Sequence, residues 1–152
     1  MGAAYQETRW CRRVQGLVFT YGSYMDPEIL AGYGVQAGAP RTALLRGWSL
    51  TFSPHANLVP RQDSLVHGFV YAMDHDQLAR LYGPEGFVTS YLPVPVVAEV
   101  GEHGEPALCY VEPAAAAAPD PDYLDGFLNL CERVGLPEAY IADIHERAHA
   151  LA

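Results

Sequence analysis

Lysine is missing from this 152-residue sequence; all nine basic residues are arginines, and 18 acidic residues bring the formal net charge to −9. That balance excludes the basic face that nucleic acid or an anionic membrane would need. Without lysine, no GxxxxGK phosphate loop can be completed. Cysteine is scarce. Cys11, Cys109 and Cys131 form neither a disulfide framework nor a CxxC zinc pair, so free, mostly buried thiols are expected. No apolar stretch approaches the roughly 20 residues that span a bilayer. Residues 1–13 lack the apolar core of a secretory signal, and a cytoplasmic location is expected. His145 and His149, four apart on a predicted helix, are the nearest approach to a metal pattern. They are read as a solvated helix face, so neither a metal nor another cofactor is expected.

What is present is apolar: half the residues are hydrophobic and 18% are charged in a 16.6 kDa chain. That suffices for the core of one domain. No internal repeat occurs. The alanine run 114–118 reads as a connector between a strand-rich body and a helical tail that begins at about residue 120. Residues 1–13 read as an N-terminal extension, with a single domain over 14–152.

In the body, 16–20 (GLVFT) predicts a buried strand ending in the Tyr21-Gly22-Ser23 turn. Asp26-Pro27 predicts a capped short helix through Leu30. Residues 42–52 are β-rich, with Gly47 as a bulge position. Strands are predicted at 56–60 and 66–73, a helix at 74–82 and a turn at Gly83-Pro84-Glu85-Gly86. Residues 91–100 alternate, but Pro93 and Pro95 mark an edge or bulged strand. A last strand is predicted at 107–111. In the tail, Asp120-Pro121 opens a helix with Leu124, Phe127, Leu128 and Cys131 on one face. Gly135 closes it, and Pro137 opens another. Strands first and helices last make an α+β pattern.

Few residues are placed to carry chemistry. Ser23 follows a glycine but lacks the GxSxG elbow, and Cys109 lies mid-strand; a turn residue and a core thiol are the plain readings. Glu85 sits in a tight turn beside Phe87. A carboxylate held there would have a raised pKa and the makings of a general base, although on its own it reads as a solvated turn residue. Ten tyrosines are many for this length. Tyr21, Tyr24 and Tyr91 fall at strand ends and Tyr110 on a strand, where hydroxyl tips bind a small polar ligand and rings form a wall.

Taken in order, the segments resemble the γ-glutamylcyclotransferase family, including its plant avirulence-induced relatives. Val18-Phe19-Thr20-Tyr21-Gly22-Ser23 resembles the family's first strand and Tyr-Gly-Ser-Asn loop. Leu44-Leu45-Arg46-Gly47-Trp48-Ser49-Leu50 is similar to its second strand, and Ala56-Asn57-Leu58-Val59-Pro60 to its short apolar strand. Val66-His67-Gly68-Phe69-Val70-Tyr71 resembles the strand that follows. Glu85-Gly86 resembles the family's Glu-Gly pair, with Tyr91 at about the family's spacing. Gly135-Leu136-Pro137 resembles the break between the last helices. The likeness runs from Val14 to Ile144.

The resemblance implies a small mixed β-barrel with packed helices and a pocket at one end. It implies that Tyr21, Gly22, Ser23 and Tyr24 hold a γ-glutamyl group, largely through backbone amides, and that Glu85 is the catalytic acid/base. Tyr91 and Tyr110 join them as expected substrate-binding residues. The implied activity is cleavage of a small-molecule γ-glutamyl amide with release of 5-oxoproline, without metal or cofactor. Tyr24 departs from the family, standing where Asn is usual. A non-catalytic ligand-binding protein on the same fold is the alternative, and a hydrolase using water a third reading. The leaving amine and the oligomeric state are not legible in the sequence.

Overall fold

The apolar run that begins the barrel is β1 (Gly16–Thr20), in which Val18, Phe19 and Thr20 are buried. These coordinates are a computed structural model that describes residues 15–84, 86, 90–113 and 118–150. The N-terminal extension with Cys11, Glu85, residues 87–89, residues 114–117 of the alanine run and residues 151–152 lie outside the described residues.

β1 lies between two strands. It runs antiparallel to β3 (Ala56–Met73), with Val18 opposite Tyr71, and parallel to β5 (His103–Val111), with Val18 opposite Leu108. β2 (Arg41–Phe52) pairs with β3 along its whole length, and β4 (Leu92–Val100) runs antiparallel to β5. Leu44 of β2 meets Glu99 of β4, so the order β1-β3-β2-β4-β5 closes into a barrel. This is the expected mixed barrel of the α+β class. β4 carries Pro93 and Pro95 and meets β2 at that one pair, which fits its predicted edge character.

Two strand expectations change. Residues 56–60 and 66–73 belong to one 18-residue strand, β3. Arg46 pairs with Leu65 and Trp48 with Pro60, so Gly47 alone faces the polar stretch 61–64. Gly47 takes φ +84° and Asp63 φ 63°. The ladder resumes on both sides, so the polar insert bends the strand rather than ending it. The last strand starts at His103, not 107. Val100 pairs with His103 across a two-residue turn whose first residue, Gly101, has φ +63°.

Four helices complete the described chain: α1 (Pro27–Gly32), α2 (His75–Tyr82), α3 (Pro121–Arg133) and α4 (Glu138–Ala150). Asp26, Asp74 and Asp120 cap the first three, and Asp74 with Gln77 forms a capping box. Gly135 at φ +82° separates α3 from α4. The buried face of α3 is Leu124, Phe127, Leu130 and Cys131; Leu128 is only half-buried. Cys109 and Cys131 are free and buried. Among the described residues no helix is long and apolar enough to cross a membrane.

The crossing of β1 over β3 depends on Gly68. A Cβ there would lie 2.2 Å from the Thr20 carbonyl oxygen and 2.8 Å from the Phe19 ring. Gly126, on the exposed face of α3, has nothing within 4 Å of such an atom. Gly68→Ala should therefore destabilise the fold by at least about 2 kcal/mol. Gly126→Ala should stabilise it by about 0.5–1 kcal/mol through helix propensity. Denaturant midpoints of the two variants check both signs.

Candidate functional site

β1 stops at Thr20 because the chain must turn through Tyr21-Gly22 into a single 3-10 turn, Ser23–Met25. Gly22 permits close approach: a Cβ there would meet the Ala56 Cβ at 3.3 Å and the Tyr123 hydroxyl at 3.6 Å. The first hydrogen bond of the turn is Met25 N–H to the Gly22 carbonyl, 3.0 Å, followed by Asp26 N–H to Ser23, 3.2 Å. The amides of Gly22 and Ser23 precede that bond, so the turn itself does not consume them.

The turn is held from below. The Tyr71 hydroxyl donates to the Met25 carbonyl at 2.8 Å. Asp26 is 4% exposed; it accepts from Glu28 N–H at 2.9 Å and pairs with Arg133 at 2.5 Å. Burial and the Asp26 charge raise the Tyr71 pKa to about 12.

Above the turn a pocket of about 400 Å3, its open mouth included, lies at the end of the barrel. Its wall is Thr20, Tyr21, Gly22, Ser23, Tyr24, His55, Ala56, Tyr82, Tyr91, Tyr110 and Tyr123. Most of the phenols are held. Tyr21 donates to the Tyr110 carbonyl, Tyr24 to the Leu81 carbonyl and Tyr91 to the Ala56 carbonyl, each at 2.6 Å. The Ser23 side chain and the Ala56 backbone lie by the Tyr123 hydroxyl and partly offset the effect of burial on its pKa. Tyr82 stacks on Tyr110 with ring centres 3.6 Å apart and planes 6° from parallel. The Tyr24 ring meets Tyr82 edge-on at 5.3 Å and Tyr33 at 5.7 Å. His55 meets the Tyr123 ring at 4.7 Å. Behind the wall, the buried Asn57 side chain makes two 2.9 Å bonds to the backbone of Glu112, tying the start of β3 to the end of β5.

The buried tyrosines of the wall stay uncharged over a wide pH range. Burial raises the pKa of Tyr21, Tyr82, Tyr91, Tyr110 and Tyr123 above the ordinary phenol value. These rings offer donors and surface, and no charge.

The six residues expected to bind substrate, Tyr21, Gly22, Ser23, Tyr24, Tyr91 and Tyr110, all stand on this wall. Glu85 lies outside the described residues. On either side of it, Gly83 N–H bonds to Ala79 at 2.8 Å and Gly86 N–H to Gly83 at 3.0 Å. Cys109 is 1% exposed, and burial pushes its thiol up to about 12, which makes it an inert core residue. Sequence reasoning missed Thr20, His55, Ala56, Tyr82 and Tyr123. The last comes from the tail, and its signal was the Asp120 cap, which places Tyr123 in the first turn of α3.

Residues 145–149 read His-Glu-Arg-Ala-His, a spacing of the HExxH type. His145 and Glu146 are exposed on α4, and Arg147 pairs with Asp143. Among the described residues no group of three or more His, Cys, Asp or Glu is placed to hold a metal ion.

Comparison with known proteins gives one family. Residues 18–126 match the model of "Gamma-glutamyl cyclotransferase, AIG2-like". That span ends before the Gly135-Leu136-Pro137 break. A solved gamma-glutamyl cyclotransferase superposes with TM-score 0.73 at 20% identity, covering 87% of each chain. An uncharacterized Homo sapiens protein gives 0.72 at 21% identity, covering 86% of each. YkqA from Bacillus subtilis gives 0.76 at 21% identity, covering 97% of this chain and 59% of its own. At these identities the solved structures establish the fold alone. No curated protein matches the sequence.

The raised phenol pKa values set the alkaline behaviour. In the unfolded chain a tyrosine ionises near pH 10, while the buried ones keep their protons. Stability from this source is whole below about pH 10 and is lost as pH rises through the folded values. A spectrophotometric titration should show these phenols ionising only together with alkaline unfolding. Ionisation of all ten tyrosines near pH 10 in a folded protein would contradict the burial.

Proposed function

The chain belongs to the gamma-glutamyl cyclotransferase, AIG2-like family, and on that premise we propose that it cleaves a γ-glutamyl amide by cyclisation, releasing 5-oxoproline and a free amine. The observation that carries this reading is the pocket itself. It is small and lined largely by tyrosines, and it is built on the Gly22-Ser23 turn, whose amides the turn does not consume.

The reaction asks little of the protein. A γ-glutamyl amide contains its own nucleophile, the α-amine. The α-nitrogen forms a bond to the γ-carbonyl carbon, and the bond from that carbon to the leaving nitrogen breaks. The α-nitrogen gives up two protons on its way from ammonium to lactam N–H; one passes to the leaving nitrogen and the other to solvent. Holding the folded conformer converts most of the barrier into a matter of orientation. In this reading the Gly22 and Ser23 amides steady the substrate carboxylate or the developing oxyanion. Glu85 carries the proton from ammonium to leaving amine. The phenols form the wall and exclude water. The chemistry calls for no metal or cofactor.

The rival is a ligand-binding protein on the same fold. A single substitution separates the two. Glu85→Gln should lower 5-oxoproline release by about two to four orders of magnitude while leaving the unfolding midpoint unchanged. A screen of γ-glutamyl amides, with 5-oxoproline detected by mass, supplies the assay. Wild-type turnover in the Gln variant would remove Glu85 from the mechanism. Binding without product from any amide would favour the rival.

A further inference from the structure

Tyr24 stands where the resemblance leads one to expect asparagine, and its hydroxyl has a definite task. It donates at 2.6 Å to the carbonyl of Leu81, in the last turn of α2. Both residues are buried, Tyr24 at 6% and Leu81 at 0% exposure. That carbonyl is one of the last four of the helix, which have no intrahelical donor unless the helix continues. The helix does not continue. Gly83 and Gly86 fold back on its end so tightly that a Cβ at Gly83 would lie 2.2 Å from the Ala79 oxygen, and one at Gly86 1.9 Å from the Leu81 oxygen. One carbonyl is thus the shared point of two contacts, the Tyr24 hydroxyl on one side and the Gly86 α-carbon on the other. The Tyr24 ring adds a second hold, meeting Tyr82 edge-on at 5.3 Å.

We propose that Tyr24 is a positioning residue: its hydroxyl fixes the end of α2 and, with it, the Gly83–Gly86 turn that carries Glu85 in sequence. The functional part of this rests on the reading of Glu85 as the proton carrier. With its hydroxyl on Leu81 and its ring against Tyr82 and Tyr33, the side chain is anchored in the wall. A short asparagine amide at this position would stop well short of the Leu81 carbonyl.

The test uses the full chain with three replacements at position 24. Tyr24→Phe keeps the ring and removes the donor. Replacement by 4-aminophenylalanine keeps the ring and restores a donor. Tyr24→Asn removes the ring and the reach. Hydrogen exchange at the amides of Gly83 and Gly86 is read first, because it needs no substrate. We expect exchange about tenfold faster in the Phe and Asn variants and near wild type in the amino variant. With a substrate from the γ-glutamyl amide screen, kcat should fall about tenfold in Tyr24→Phe with KM within about twofold, and the amino variant should recover most of it.

Unchanged exchange in a folded Tyr24→Phe overturns the inference, whatever the activity. So does a wild-type kcat in that variant, or an equal loss in the amino variant. A change of substrate order at constant kcat would instead place Tyr24 against the leaving group and also overturn it. Glu85→Gln, measured alongside, keeps the two readings apart. If that variant stays active, the proton-carrier reading fails while the exchange result still decides what Tyr24 holds.

Discussion

Tyrosine hydroxyls donate to backbone carbonyls of distant segments, and the pocket end of the fold depends on these bonds. Tyr21 donates to Tyr110, Tyr24 to Leu81, Tyr71 to Met25 and Tyr91 to Ala56. Each bond joins segments at least 35 residues apart in sequence. A buried carbonyl without a donor costs about 1–3 kcal/mol. Phenylalanine at any of these positions would keep the packing and forfeit that bond. Here the chain uses tyrosine where a core alone would accept phenylalanine, and this accounts for much of the phenol content that composition alone could only register as unusual.

The same bonds shape the pocket. A hydroxyl spent on a carbonyl fixes its ring, and a fixed ring is a wall. The Tyr82–Tyr110 stack and the edge contacts of Tyr24 then leave little freedom at one side, while Tyr91 is bonded to Ala56 at the other. The Gly22 turn lies between these two sides, drawn close by the absence of a Cβ and anchored beneath by Tyr71, Asp26 and Arg133. The barrel and α3 therefore hold the loop at Ala56, Tyr71 and Arg133, three points far apart in sequence.

Local chemistry made much of this legible. The strand 16–20, the caps at Asp26, Asp74 and Asp120, the Gly47 bulge and the Gly135 break are all written in short runs whose backbone preferences tertiary structure did not override. The merging of 56–60 and 66–73 was not legible, because residues 61–64 are polar and resemble a connection; only the partner strand, continuous through Gly47, shows that the ladder resumes. At the site, Tyr21 to Tyr24, Tyr91 and Tyr110 could be nominated because they flank strand ends or fall on a strand. Tyr82 and Tyr123 could not, since each lies on an amphipathic helix where a tyrosine reads as ordinary packing. His55 and Ala56 belong to a hairpin whose proximity to Gly22 follows from barrel closure, a property of the whole chain.

Closure also bears on the proposed chemistry. A wall of phenols with raised pKa values can orient and exclude water, yet it cannot take a proton from an ammonium at neutral pH, because each phenol holds its own proton more tightly than in water. Cys109 is likewise locked in its protonated form by burial. Neither these phenols nor this thiol is suited to that transfer. In the proposed reaction the proton carrier is Glu85, which follows in sequence the helix that Tyr24 ties to the wall. The uncharged phenols let the barrel end stay buried without unpaired charge, and in the proposed reaction they leave proton transfer to the carboxylate.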